Sequence, residues 1–363
     1  MNKSFILRGC NLIGPLFITL VLCWSLVAYL GLYCTSTSGA QEGQIPTLIF
    51  YFILFLMFCW SFIQVSTVSP NYHIHDVTPA VTSSTVLNST DTEAADEIVN
   101  NQIANNQVHD SLNQDYFDIE LGDGVAKLGS DKTLQIVDKE DTAKLLSSES
   151  DDCSPTFDQN DTNQAALVRE LDREGGDLYC HKGCAKLKQN RMAHCSSCQE
   201  CILKYDHHCP WIGQCIGHAN QKLFILFLFY GFLYCLYVFC TVVVLEKLTT
   251  QYNTLLLLLF SSVFGMAILV LFVTHLIFCL KNETTVLGTG SRLLKIKGIV
   301  GPPILTKRNV YNLGAYNNFT QVFGDDPLLW LLPIVTVKKE TGWNPPVNLE
   351  TITEIQLLCN CSS

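Results

Sequence analysis

Between residues 180 and 218 the chain gathers seven of its 17 cysteines and five of its nine histidines. They fall as Cys180, Cys184, His194-Cys195, Cys198, Cys201, His207-His208-Cys209 and Cys215, with His181 and His218 at the edges. Thiolates and imidazoles a few residues apart are what a tetrahedral structural zinc requires. Disulfides are the competing account, and they do not persist in the reducing cytosol, the side on which charge places this stretch. Two closed zinc sites need eight ligands. Cys180, Cys184, Cys195, Cys198, Cys201, Cys215, His194 and one of the adjacent His207 and His208 supply them. Cys209 and one histidine are then left over, beside Asp206. A scaffold has no use for a spare thiol flanked by imidazole and carboxylate. A nucleophilic enzyme does: the histidine takes the thiol proton, and the carboxylate fixes its tautomer.

The elements that must position this array are apolar. Of 363 residues 48% are hydrophobic and only 15% charged, against about 25% charged in soluble domains. Four runs, Leu12–Tyr33, Ile45–Val68, Leu223–Leu245 and Leu255–Leu280, lack Asp, Glu, Lys and Arg. Each is long enough to cross a bilayer, which takes about 20 helical residues. The first follows Lys3 and Arg8 but is too long for a signal-peptide core and lacks a cleavage site, so it reads as a retained span. The fold class expected is an α-helical polytopic membrane protein with four transmembrane helices and a two-zinc cysteine-rich module between the second and third.

Lys/Arg bias sets the orientation. Lys3 and Arg8 precede span one, the loop Cys34–Gln44 has no base, and Lys281, Arg292, Lys295, Lys297, Lys307 and Arg308 follow span four. Both termini and the segment between spans two and three are therefore expected in the cytoplasm. Between Asp76 and Asp177 stand 23 acids against 6 bases, leaving 10 acids and 17 bases elsewhere. The net charge of −10 thus belongs to one insert, and bulk charge excludes nucleic acid as a partner. The organisation read from this is spans one and two (1–72), an acidic insert too poor in apolar residues to fold (73–176), the cysteine-rich module (177–222), spans three and four (223–280) and a cytoplasmic tail (281–363). A short helix is expected near Gln164–Leu171 and another over Tyr316–Gly324.

Asp206-His207-His208-Cys209-Pro210-Trp211 within the cysteine array resembles the DHHC protein S-acyltransferases, the palmitoyltransferases of eukaryotic endomembranes. The resemblance takes in Lys188-x2-Arg191-x2-His194-Cys195, Cys215-Ile-Gly217-x2-Asn220, Asn282-x-Thr284-Thr285, Asn318-x3-Val322-Phe323-Gly324 and Trp330-Leu-Leu-Pro333. It implies one zinc on Cys180, Cys184, His194 and Cys201 and another on Cys195, Cys198, His208 and Cys215. His207 and Asp206 then serve Cys209, which takes an acyl group from acyl-CoA and passes it to a cysteine of a membrane-associated protein. Lys188, Arg191 and Lys204 are candidates for the CoA phosphates, beside Lys182 and Lys186. Trp24, Ser25, Phe227 and Tyr234 are candidates for the acyl-chain wall between spans one and three. The bland readings are positive-inside bias for the cations and simple packing for the aromatics.

The chain departs from the family pattern in several places. The first cysteine pair has three intervening residues instead of two, with His181-x2-Cys184 as the alternative; Cys180 is preferred, and Gly183 is expected to absorb the extra residue. Gln189 replaces a common proline, Leu287 replaces a glutamate, and Val68-Ser69-Pro70-Asn71 stands where Asp-Pro-Gly is usual. A silent zinc-containing membrane adaptor and a two-zinc membrane ubiquitin ligase are the alternatives; the ligase leaves Asp206, His207 and Cys209 without a purpose.

Overall fold

The structure is a computed structural model that describes residues 3–36, 44–71, 125–128, 134–137, 168–172, 175–245, 252–286, 292–296, 303–338 and 340–360. Four long helices carry the apolar runs: α1 (Lys3–Ser36), α2 (Gln44–Thr67), α3 (Gln221–Leu245) and α4 (Tyr252–Lys281). Their spans of 24, 23, 24 and 30 residues are each sufficient to cross a membrane. Helix α3 is the most enclosed and packs against α2 and α4. Leu16, Leu20, Leu56, Val263, Met266 and Val270 instead point outwards from the bundle, as a lipid-facing surface should.

Between α2 and α3 lie three two-stranded antiparallel hairpins: β4 (Tyr179–Cys180) with β5 (Lys186–Leu187), β6 (Ala193–Cys195) with β7 (Glu200–Ile202), and β8 (His207–Cys209) with β9 (Gln214–Ile216). The residues following α2 clamp this module to the membrane helices. Asn71 Nδ2 donates to the Cys201 carbonyl at 2.9 Å, and Asn71 Oδ1 accepts from Leu203 N at 2.9 Å. Asn71, the last residue of the unusual Ser69-Pro70-Asn71, thus satisfies backbone groups in and just after β7.

A five-stranded antiparallel sheet has the order β2-β1-β11-β10-β3. It joins β1 (Val125–Leu128), β2 (Leu134–Val137) and β3 (Val168–Leu171) to β10 (Arg292–Ile296) and β11 (Ile304–Thr306) of the tail. Two segments of the insert expected to be unfolded, β1 and β2, are therefore strands, and so is β3. The rest of the expected insert, apart from Asp172 and the two glycines at 175–176, lies outside the described residues. The helix expected near Gln164–Leu171 is also corrected over its C-terminal half: Val168 pairs with Ile296 and Leu171 with Leu293. Burial on a distant partner outweighs a local helical preference. Val168, Leu294, Ile296, Ile304 and Tyr311 form a core with Ile352 and Ile355 of the C-terminal helix Leu349–Asn360.

The tail helix expected over Tyr316–Gly324 is present as α5 (Ala315–Phe323). Its buried Val322 and Phe323 join the core of the membrane helices, and Asn318 Nδ2 donates to the Leu280 carbonyl at 2.8 Å.

Candidate active site and metal centres

The period-two geometry of short strands sorts the ligands. Successive side chains of a strand point to opposite faces, so His194 and Cys195 on β6 cannot serve one site. In β6–β7 His194 stands opposite Cys201, and in β8–β9 His208 stands opposite Cys215. Each cross-strand pair is completed by a knuckle from the preceding turn. Cys180, Cys184 and Cys201 lie 3.5, 3.3 and 3.9 Å from His194 Nδ1. Cys195, Cys198 and Cys215 lie 3.8, 3.4 and 3.6 Å from His208 Nδ1. A tetrahedral zinc with ordinary bond lengths separates sulfur from nitrogen by about 3.6 Å. Both donor sets fit that metal. The turns support them: Gly183 has φ +87° with open space where a Cβ would be, the backbone that the longer first knuckle needs, and Ala185 and Gln199, each following a knuckle cysteine, have φ 45° and 56°. Cys180 is fully buried while His181 is exposed, its ring tilted against Tyr179.

The same alternation isolates Cys209. On β8, His208 faces the second cluster, which puts His207 and Cys209 together on the opposite face. Asp206 Oδ2 accepts from His207 Nδ1 at 2.7 Å, which leaves Nε2 available for the Cys209 thiol on the same face. Asp206 Oδ1 accepts from Thr285 N at 2.7 Å, and the Asp206 carbonyl accepts from Thr285 Oγ1. The Asp206-His207-His275 group is a third gathering of ligand-type atoms. Its 2.7 Å Asp–His separation is a hydrogen bond, well short of the about 3.4 Å that two ligands of one tetrahedral zinc would keep.

Burial would depress the His207 pKa, but the hydrogen bond to Asp206 and the neighbouring Cys209 thiol outweigh it and hold the imidazole up at about 9. Burial would raise Asp206, and the contacts to His207, His275 and Thr285 instead leave it below the usual carboxylate range. An ionised carboxylate beside an imidazole that readily keeps a proton is suited to generating a thiolate.

Cys209 belongs to the same apolar cluster as Leu22, Leu223, Phe224 and Phe227 of the membrane helices. Its hairpin also touches α1: a Cβ on Gly14 would overlap the Pro210 carbonyl. Of the expected wall residues, Ser25, Phe227 and Tyr234 are buried. Ser25 Oγ and Tyr234 Oη are 2.9 Å apart, and Phe58 stacks between Phe227 and Tyr234. Trp24 is half-buried, its ring edge-on to Phe260 of α4. Tyr51, missed in the sequence because tyrosines in spans are common, adds its hydroxyl 3.0 Å from Tyr234 Oη.

The expected phosphate-binding cations divide. Lys182 is exposed, and Lys186 and Lys188 are half-buried. Arg191 and Lys204, by contrast, are only 3% and 8% exposed. Arg191 donates through Nη1 to Asn282 Oδ1 at 2.8 Å and through Nη2 to the Asn282 carbonyl at 2.9 Å. Burial beside Arg191 lowers Lys204 to about 7. The Arg191–Asn282 pair fastens the module to the end of α4, three residues before Thr285. Asn220, the last residue of Cys215-Ile-Gly217-x2-Asn220, accepts from Gly217 N at 2.9 Å and donates to the Cys215 carbonyl at 3.0 Å. Leu287 lies outside the described residues.

The DHHC palmitoyltransferase family profile matches residues 174–289, about a third of the chain. The chain is 29% identical to palmitoyltransferase ZDHHC2 of Danio rerio over 341 residues, 89% of this chain and 73% of that protein. It is 27% identical to palmitoyltransferase ZDHHC20-A of Danio rerio over 363 residues, 95% of this chain and 80% of that one. Human palmitoyltransferase ZDHHC15 is 36% identical over 169 residues, 44% of this chain and 48% of its own length. Where similarity is highest the relatives are covered to about half; lower similarity extends along most of the chain. The three hairpins, α3 and α4 thus lie within the stretch that matches the DHHC palmitoyltransferase family.

Proposed function

We propose that the protein moves a long-chain acyl group, palmitoyl above all, from acyl-CoA through an acyl-Cys209 thioester to cysteines of membrane-associated proteins. The observation that carries this reading is the sorting on β8: Cys209 and His207 share the face turned away from the second ligand cluster, with Asp206 behind the imidazole. In the first half-reaction His207 Nε2 accepts the Cys209 proton. The thiolate attacks the thioester carbonyl carbon, the carbon–sulfur bond to CoA breaks, and the CoA thiolate recovers the proton. In the second half His207 takes the proton of the acceptor cysteine, whose thiolate attacks the acyl carbon. The carbon–sulfur bond to Cys209 breaks and Cys209 leaves as thiolate, which recovers the proton, giving ping-pong kinetics.

The acyl chain would lie among α1, α2 and α3, where each buried CH₂ is worth about 0.8 kcal/mol, with Ser25, Phe227 and the Tyr234 hydroxyl near its end. Trp24 would contribute from the α4 side. The CoA phosphates would meet Lys188 with Lys182 and Lys186. Arg191 and Lys204 would add positive field from beneath. Zinc, held by Cys180, Cys184, His194 and Cys201 and by Cys195, Cys198, His208 and Cys215, would contribute folding free energy. Lys/Arg bias supports a cytoplasmic active site and termini, in an endomembrane.

The test is to incubate the purified protein with labelled palmitoyl-CoA and count zinc by mass. A hydroxylamine-sensitive label is expected, absent from Cys209→Ser with zinc still at two per chain. His208→Ala should lose metal. A label persisting in Cys209→Ser, or equal zinc loss in both variants, refutes the assignment. An unlabelled parent protein would leave the silent adaptor.

A further inference from the structure

His275 is the only histidine in the four membrane-spanning helices, and it is 7% exposed. A polar ring buried at that depth is costly without a partner. Its partner comes from the catalytic module. His275 Nδ1 lies 3.6 Å from Asp206 Oδ2, the same oxygen that accepts from His207 Nδ1. Phe224 of α3 stands edge-on to both imidazoles, at 4.9 Å from His275 and 5.2 Å from His207. Phe278 closes the ring from its own helix.

We propose that His275 is a positioning residue for acyl transfer: its Nδ1–H closes onto Asp206 Oδ2 when the acyl donor occupies the space beside Cys209. A carboxylate oxygen has two lone pairs, and Oδ2 uses one for His207. At 3.6 Å the second contact is too long for a hydrogen bond in the free protein. Catalytic hydrogen bonds are commonly long before substrate binds and tighten in the complex. With Thr285 N on Oδ1, a second donor on Oδ2 fixes the carboxylate plane and keeps the negative charge facing His207. The transmembrane helix α4 would thereby hold the tautomer of the base. The other charged groups near Asp206 are Lys204 and Arg191, which act on it through their field, and Cys279 lies one turn further along α4.

This inference rests on the acyl-Cys209 reading, and the experiment separates the two. His275→Phe keeps the ring and removes the donor; His275→Asn keeps a polar group near the Nδ1 position. Cys209 acylation by labelled palmitoyl-CoA is expected to slow about tenfold in His275→Phe, one step below the hundredfold or more that general bases supply. His275→Asn should stay within about threefold of the parent, zinc remaining at two per chain in both. In an Asp206→Asn background, His275→Phe should add less than about twofold, because its effect runs through Asp206. An unslowed His275→Phe, or an undiminished effect in the Asp206→Asn background, overturns the proposal. Should His275→Phe lose its zinc, His275→Asn is compared with His275→Leu, and equal rates overturn it. Label persisting in Cys209→Ser would instead condemn the acyl-Cys209 reading itself.

Discussion

Asn282→Ala removes the residue that fastens the cysteine-rich module to α4. Asn282 is 1% exposed and has φ 52°, a left-handed backbone that asparagine tolerates. Its Oδ1 accepts from Arg191 Nη1 at 2.8 Å, and its Nδ2 donates to the Tyr311 carbonyl at 2.8 Å. The variant leaves a buried guanidinium N–H and a buried carbonyl unsatisfied. A hydrogen bond to a charged group is worth about 2–3 kcal/mol and a neutral one about 1 kcal/mol. Alanine in the left-handed region adds about 1 kcal/mol. The sum, about 4–5 kcal/mol, is at the exceptional end for one substitution. In thermal denaturation of the zinc-loaded protein in detergent this should lower Tm by about 10 °C or more. Asn282→Gly relieves the backbone and should recover only about 1 kcal/mol of the loss. Acylation of Cys209 should fall with it, since Thr285 holds Asp206 three residues further on. A Tm within about 2 °C of the parent, or full recovery by glycine, would refute the hydrogen-bond argument.

Three further outcomes are expected. Cys180→Ala should lower the zinc count towards one per chain while His181→Ala leaves it at two, because Cys180 Sγ is 3.5 Å from His194 Nδ1 and His181 is exposed; mass spectrometry of the native protein decides. Tyr234→Ala, which removes the hydroxyl bridging Ser25 and Tyr51, should favour an acyl chain longer by two carbons by about 1.6 kcal/mol, about 15-fold in relative kcat/KM; an unchanged chain-length ratio in competition assays speaks against a floor at Tyr234. Gly14→Ala should push α1 off the Pro210 carbonyl and depress acylation without loss of zinc, and an acylation rate equal to the parent's would show that this close approach is not needed.

The spans, the metal clusters and the spare thiol were all legible in the chain, because each is encoded over a few residues. Length and hydropathy define the spans, and cysteine spacing defines the knuckles. The proposed catalytic group pairs neighbours in sequence: Asp206 and His207 touch because they are adjacent, and His207 shares a face with Cys209 because strands alternate. What the chain did not reveal are meetings across long separations. Val168–Leu171 is a strand because β10 offers a partner more than 100 residues away. Arg191 and Lys204 look like open cations in the sequence, yet packing of the tail against the module buries them. Tyr51 joins Ser25 and Tyr234 only once α1, α2 and α3 are packed together. His275 reads as an isolated polar residue in an apolar span until α4 brings it to Asp206. Local spacing determines which chemistry the residues can perform, while the packing of distant segments decides which groups are buried, which are partnered, and which of them the reaction can use.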